Sequence, residues 1–159
     1  MSDARLTPRL LLHPIHLLSL GFGTGLVPKM PGTIGTLVGV LLFIPMRYLP
    51  WQYYLVLVVV LFAVGIWLCG KTADRLGLHD HPAIVWDEIV GYLITMFLAP
   101  PGWLWLLIGF VLFRLFDIWK PWPIRWLDKQ VRGGLGIMID DVLAAVYALI
   151  CLQIIAYLL

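Results

Sequence analysis

Five long apolar stretches leave this chain few ways to fold. They run over 33–48 (TIGTLVGVLLFIPMRY), 53–70 (YYLVLVVVLFAVGIWLCG), about 84–99, 103–119 (WLWLLIGFVLFRLFDIW) and 140–159 (DDVLAAVYALICLQIIAYLL). Apolar residues make up 62% of the 159, against about 45–50% in ordinary soluble domains. The pattern predicts a polytopic membrane protein with about four to five membrane-embedded helices. The connections at 49–52 and 100–102 are short and contain proline, whereas 71–83 and 120–139 are longer and polar. Eight Trp and six Tyr suit rings that anchor at lipid–water boundaries. The length accommodates one domain over 1–159.

The N-terminal LLLHPIHLLSLG follows Arg5 and Arg9 and is too short to span a bilayer. It is broken by His13, Pro14 and His16, and no small-residue cleavage site follows, so a short interfacial helix is expected rather than a signal peptide. Cys69 and Cys151 lie in apolar runs and read as small buried hydrophobes. A net charge of +2 gives no footing for nucleic acid.

The charges set an orientation. With a cytoplasmic N-terminus and five crossings, Arg5, Arg9, Lys29, Lys71, Arg75, Lys120, Arg125, Lys129 and Arg132 fall inside and only Arg47 falls outside. That is the positive-inside asymmetry. All nine acids fall on that side too: Asp3, Asp74, Asp80, Asp87, Glu88, Asp117, Asp128, Asp140 and Asp141. The orientation rule does not require this of acids. The chemistry is therefore expected on the cytoplasmic side.

Three apolar segments carry acids at that end: Asp87 and Glu88, then Asp117, then Asp140 and Asp141. An Asp at the centre of a membrane helix costs about 2.5–3.5 kcal/mol, against about 0.3–0.6 gained per Leu, Ile, Phe or Val. Along a helix Glu88 lies about 16 Å from Ala99 and Asp117 about 21 Å from Trp103, short of a hydrocarbon core of about 30 Å. Either the acids line a wet, protein-walled cavity held together by a cation, or the 100–102 turn sinks inward and the helices are short. Both versions keep the acids together. Helix capping accounts for Asp140 alone as well as ligation does. Asp117 ends a helix, where the dipole disfavours an anion, and Arg114 and Lys120 share its face as ion-pair partners. An oxygen-rich cluster of this kind suits Mg²⁺. Adjacent residues point about 100° apart on a helix, so each acid pair is expected to supply one direct ligand and one supporting group or base.

Cations and glycines surround the acids. The stretch 120–141, KPWPIRWLDKQVRGGLGIMIDD, sets Lys120, Arg125, Lys129 and Arg132 before three glycines and a helix start, a composition that binds phosphate. A second glycine-rich stretch, GFGTGLVPKMPGTIGTL over 21–37, offers Lys29 and the candidate caps Thr33 and Thr36. It matches no phosphate-loop fingerprint, and Gly35 and Gly39 equally form a helix-packing face. His79 and His81 are candidate ligands or acid/base groups, with loop hydrogen bonding as the commoner role. The signatures of haloacid-dehalogenase phosphatases, membrane acid phosphatases, CDP-alcohol transferases and serine hydrolases are all missing. A small cation transporter would need acids reachable from both faces. A non-catalytic anionic-lipid-binding protein would leave the clustered carboxylates repelling its ligand.

Three blocks, GFGTGLVPKMPGTIGTL, HDHPAIVWDEIVG and FRLFDIWKPWPIRWLDKQVRGGLGIMIDD, cover about 40% of the chain. In order and spacing they resemble the phosphatidylglycerophosphatase A family of bacterial inner-membrane lipid phosphatases. The resemblance implies an all-α fold and Mg²⁺-dependent hydrolysis of the terminal phosphate of phosphatidylglycerophosphate, giving phosphatidylglycerol and inorganic phosphate. It makes Asp87, Glu88, Asp117, Asp140 and Asp141 the catalytic carboxylates, with Glu88, Asp117, Asp140 and Asp141 on the metal. Lys29, Lys120, Arg125 and Arg132 become the phosphate clamp, assisted by Thr33 and Thr36. On this expectation a metal-positioned water attacks and one carboxylate, Asp140 or Asp141, is the base.

Overall fold

Prolines and left-handed residues divide the chain into helices, and the computed structural model describes residues 6–159. Asp3 and Arg5, placed above among the cytoplasmic charges, lie outside the described residues. Among the described residues every regular element is helical. The α-helices are α1 (Pro14–Ser19), α2 (Pro31–Met46), α3 (Trp51–Leu76), α4 (Trp86–Thr95), α5 (Trp103–Trp119), α6 (Ile124–Gln130) and α7 (Gly133–Leu158), with 3₁₀ turns at Pro8–Leu12 and Gly21–Leu26. Pro14 and Pro31 open α1 and α2 at positions whose N–H would have no helical partner anyway. Gly77 closes α3 at φ 74°, donating its N–H to the Ala73 carbonyl at 2.8 Å. Lys120 closes α5 in the same left-handed conformation and Pro121 forbids continuation.

The segment 103–119 is α5 residue for residue. Other boundaries differ from the sequence-based expectation for identifiable reasons. The N-terminal helix is split at His13–Pro14 into a 3₁₀ turn and α1. The 84–99 segment forms only the ten residues of α4, about 15 Å long, before tight turns reach Gly102. Helix α7 begins at Gly133, so Asp140 and Asp141 sit about two turns inside it rather than at its start. The glycines taken for a loop are its first turn, where Gly134 lies against the Ile66 carbonyl of α3.

The short helix α4 is central. It packs on α2, α3, α5 and α7, and Asp87, Ile89, Val90, Gly91, Tyr92, Leu93 and Thr95 are all buried. Being surrounded by protein, it need not match the thickness of a bilayer. Small residues let its neighbours close in: Gly35 and Gly39 of α2 face Val85 and the Ile89–Tyr92 ridge, and Gly91 faces Phe113. Three hydrogen bonds fix its depth and rotation. Trp86 Nε1 donates to the Leu61 carbonyl at 3.1 Å, Tyr54 Oη to the Leu93 carbonyl at 2.6 Å, and Tyr92 Oη to the Leu106 carbonyl at 3.0 Å. Gly70 meets Gly134 while Gly65 meets Met138, so α3 and α7 run antiparallel.

Helices α3 and α7 are long and apolar enough to cross a membrane, at about 39 Å each. The outward faces of the bundle are apolar as well. Leu41, Val56, Leu107, Val111, Leu115, Ile118, Ile150 and Ile154 are each more than half exposed. Exposed apolar side chains in this number suit contact with lipid. Trp51, Tyr53 and Trp103 stand exposed at one end of the bundle and Trp119, Trp122 and Trp126 at the other, the spacing of two interfacial belts.

A Cβ at Gly134 would overlap the Ile66 carbonyl, a backbone atom that cannot swing away. Gly134→Ala is therefore expected to destabilise the detergent-solubilised protein by about 1–3 kcal/mol, read as a lower midpoint in denaturant or thermal unfolding.

Candidate active site

Four elements bring their chemistry to one end of α4. Asp87 and Glu88 occupy its first turn. Gly32 at the start of α2 closes against Glu88, so that a Cβ there would run into Oε1. The last two turns of α5 contribute Arg114 and Asp117, and the third turn of α7 contributes Asp140 and Asp141. Together with Asp80 from the α3–α4 loop and Lys120, they line a cavity of about 240 Å³. Asp87, Asp140 and Asp141 are buried, with 7%, 5% and 3% of their surface exposed.

The closest group is Asp87, Glu88 and Asp141, each offering an oxygen within 4.8 Å of the others. Both members of the Asp87–Glu88 pair thus reach the same point as Asp141, where the sequence expectation had grouped Glu88 with Asp117, Asp140 and Asp141. Of the other three carboxylates, Asp117 and Asp140 each hold a cation. Arg114 Nη1 donates to Asp117 Oδ2 and stands 3.7 Å from Glu88 Oε1. Lys120 Nζ donates to Asp140 Oδ2 at 2.6 Å and stands 3.4 Å from Asp128 Oδ2. Burial alone would lower the pKa of the Lys120 ammonium, but Asp140, with Asp128 and Asp141 behind it, outweighs that and holds it above the ordinary lysine range. Lys120 is accordingly a fixed positive charge on the cavity wall.

Six carboxylates therefore face two cations around this cavity. Asp87 Oδ1, Glu88 Oε2, Asp140 Oδ1 and Asp141 Oδ2 are buried without a hydrogen-bond partner among the described residues. Buried anionic oxygens left unpaired are costly. A hard divalent cation with its waters is the species that satisfies several of them at once. The donor set fits Mg²⁺ by charge and oxygen chemistry.

The other expected residues divide. Lys29, Arg125 and Arg132 are exposed and do not line the cavity. Arg125 Nη2 donates to the Trp119 carbonyl at 3.2 Å. Thr36 is interior to α2 and spends its hydroxyl on the Gly32 carbonyl at 2.8 Å, so it caps nothing. Thr33 lies three residues into α2, whose N-cap is Met30, and its buried Oγ1 has no partner among the described residues. His79 Nε2 accepts the Gly133 N–H at 2.7 Å, and His81 Nδ1 accepts the Ala83 N–H at 3.1 Å. Both histidines shape loops beside the site.

The phosphatidylglycerophosphatase A family profile matches residues 17–156. The chain belongs to the phosphatidylglycerophosphatase A family. Relatives named phosphatidylglycerophosphatase A include one from Escherichia coli (strain K12), 50% identical over 135 residues that cover 84% of this chain and 78% of the relative. Another, from Haemophilus influenzae, is 49% identical over 149 residues, covering 92% and 91%. No solved structure matches the chain.

Two cavity residues of this family member escaped the sequence-based assignment. Arg114 had been read as an ion-pair partner only; its reach to both Glu88 and Asp117 depends on α4 and α5 packing antiparallel. Asp80 sits between two histidines in HDHP, a context that drew attention to the imidazoles instead.

Mg²⁺ at about 100 times its Kd is expected to stabilise the purified protein by about 2.7 kcal/mol, seen as a raised unfolding temperature that Asp141→Asn abolishes. Gly32→Ala, which pushes on the Glu88 carboxylate, is expected to retain helical content by circular dichroism. It should weaken that cation response roughly tenfold in Mg²⁺ concentration.

Proposed function

We propose that this protein is a multi-pass enzyme of the bacterial inner membrane that hydrolyses the terminal phosphate of phosphatidylglycerophosphate, with Mg²⁺ at a site facing the cytoplasm. The observation that carries the reading is the set of unpaired buried carboxylate oxygens at one end of the bundle, in a chain whose relatives are named for this phosphatase activity. The charge asymmetry of the loops supports the cytoplasmic side.

Asp87, Glu88 and Asp141 would hold the metal, with Asp117 and Asp140 beside them. An Mg²⁺ ion held there would supply Lewis-acid polarisation of the phosphoryl group and a bound water as nucleophile. Arg114 ties Glu88 to Asp117 and so keeps both carboxylates pointed at the cavity. Lys120 supplies positive charge against the phosphoryl oxygens, the main form of catalysis in phosphoryl transfer. Asp140 has one oxygen fixed on Lys120 and the other free, the arrangement wanted in a general base. It takes a proton from the attacking water as the new phosphorus–oxygen bond forms and the ester bond breaks. It then returns that proton to the departing glycerol oxygen. The N-terminus of α2, with Thr33 in its first turn, turns its positive dipole end toward the same space.

Phosphate release by the purified protein from phosphatidylglycerophosphate in mixed micelles is the direct test. Activity is expected with Mg²⁺, is lost on chelation, and falls on the order of 100-fold or more in Asp87→Asn, Glu88→Gln and Asp141→Asn. Undiminished turnover in chelator would overturn the metal assignment. No release from this lipid under any divalent ion would overturn the substrate.

A further inference from the structure

The acid cavity is too small for the whole of any phospholipid. Its volume of about 240 Å³ lies below the roughly 300–1,000 Å³ of sites that enclose a drug-sized ligand. Only a terminal phosphate and its ion fit inside. The rest of the headgroup must lie on adjoining surface, and the structure offers one such surface built for an anion.

Beyond Lys120, the end of α5 and the helix α6 form a groove of about 490 Å³. Lys120 lines both spaces, so the groove begins where the cavity ends. Its walls carry Trp119, Trp122 and Trp126, with Arg125 and Lys129 between them, and no carboxylate. The two outer cations are not spent on acids: no carboxylate among the described residues lies within ion-pair distance of either, and Arg125 is oriented by the Trp119 carbonyl. Lys120 turns its ammonium to Asp140 and Asp128 on the cavity side, so the cations of the groove that have no carboxylate beside them are Arg125 and Lys129. The three indoles are 60%, 81% and 55% exposed, a ring set suited to the headgroup level of a bilayer.

We propose that this groove is a second phosphate subsite, in which Arg125 and Lys129 bind the phosphodiester that links the headgroup glycerol to diacylglycerol. The inference rests on the reading of the reaction given above and refines it. Arg125, expected from sequence to clamp the phosphate being cleaved, holds the one that stays. The groove then distinguishes a lipid with two phosphates from one bearing a single terminal phosphate. It also retains affinity for the product, which keeps the diester.

The test uses dihexanoyl phosphatidylglycerol, short enough that bilayer anchoring plays no part, and inorganic phosphate as the probe of the acid cavity. Both are titrated against the full-length protein in detergent by calorimetry and as inhibitors of turnover. In Arg125→Gln and in Lys129→Gln the lipid is expected to bind roughly tenfold or more weakly, inhibition by inorganic phosphate to be unchanged, and Lys129→Arg to restore lipid binding. Equal weakening of both probes, or weakening of neither, overturns the subsite. A wild-type protein that binds the short-chain lipid in an Arg125-dependent way yet releases no phosphate from phosphatidylglycerophosphate overturns the reaction and leaves the subsite standing. Hydrolysis with an unchanged KM in both Gln variants does the reverse.

Discussion

Carboxylates gathered around one cavity govern the layout of this bundle, and each one's surroundings follow from its place on a helix dipole. Asp87 and Glu88 lie in the first turn of α4, where the positive end of the dipole favours them. Asp117 lies in the last turn of α5, where the dipole opposes it, and there Arg114 is bonded to it. Asp140 is in the body of α7, with little help from either end, and Lys120 reaches across to it. Asp141 has neither and joins the Asp87–Glu88 pair. The protein thus compensates the acids that local backbone cannot, and leaves the cavity with more carboxylates than cations.

That arrangement requires α4 to be short and enclosed. A helix of ten residues facing lipid would leave its ends far inside the hydrocarbon. Surrounded by α2, α3, α5 and α7, it can begin at depth and deliver its first turn to a protein-walled space. The glycines of α2 and α7 serve the same end. They bring neighbouring backbones close enough that α4 and the site are shielded, and Gly32 lets Glu88 lie where any larger residue would stand.

Much of this was legible beforehand, because the cost of charge in lipid is visible in sequence. Every one of Asp87, Glu88, Asp117, Asp140 and Asp141 lines the cavity, and α5 runs between the tryptophans that bracket its segment. What sequence concealed is of one kind. Glycine reads as loop in a linear scan, yet Gly133, Gly134 and Gly136 open α7 because tertiary contact with α3 rewards small residues there. The reach of Arg125, Arg132 and Lys29 was equally invisible, since a cation near an acid in sequence need not share its pocket. The direction in which α6 and the 120–123 turn leave α5 decides that, and it sends Arg125 along the surface, away from the acids.

The same geometry weighs against transport. An ion path would need polar groups continuing from the cavity toward the other end of the bundle. Below the acids, α4 and the residue that ends it instead present Ile89, Val90, Tyr92, Leu93 and Met96, all buried, in one cluster with Phe113, Ala145, Ala148 and Leu152. The hydroxyls of Tyr54, Tyr92 and Thr95 around it each donate to a helix carbonyl. The acid cavity has an apolar floor beneath it and an aromatic, basic groove beside it. An ion in that cavity would be closed off from the other end of the bundle, which a hydrolase tolerates and a transporter does not.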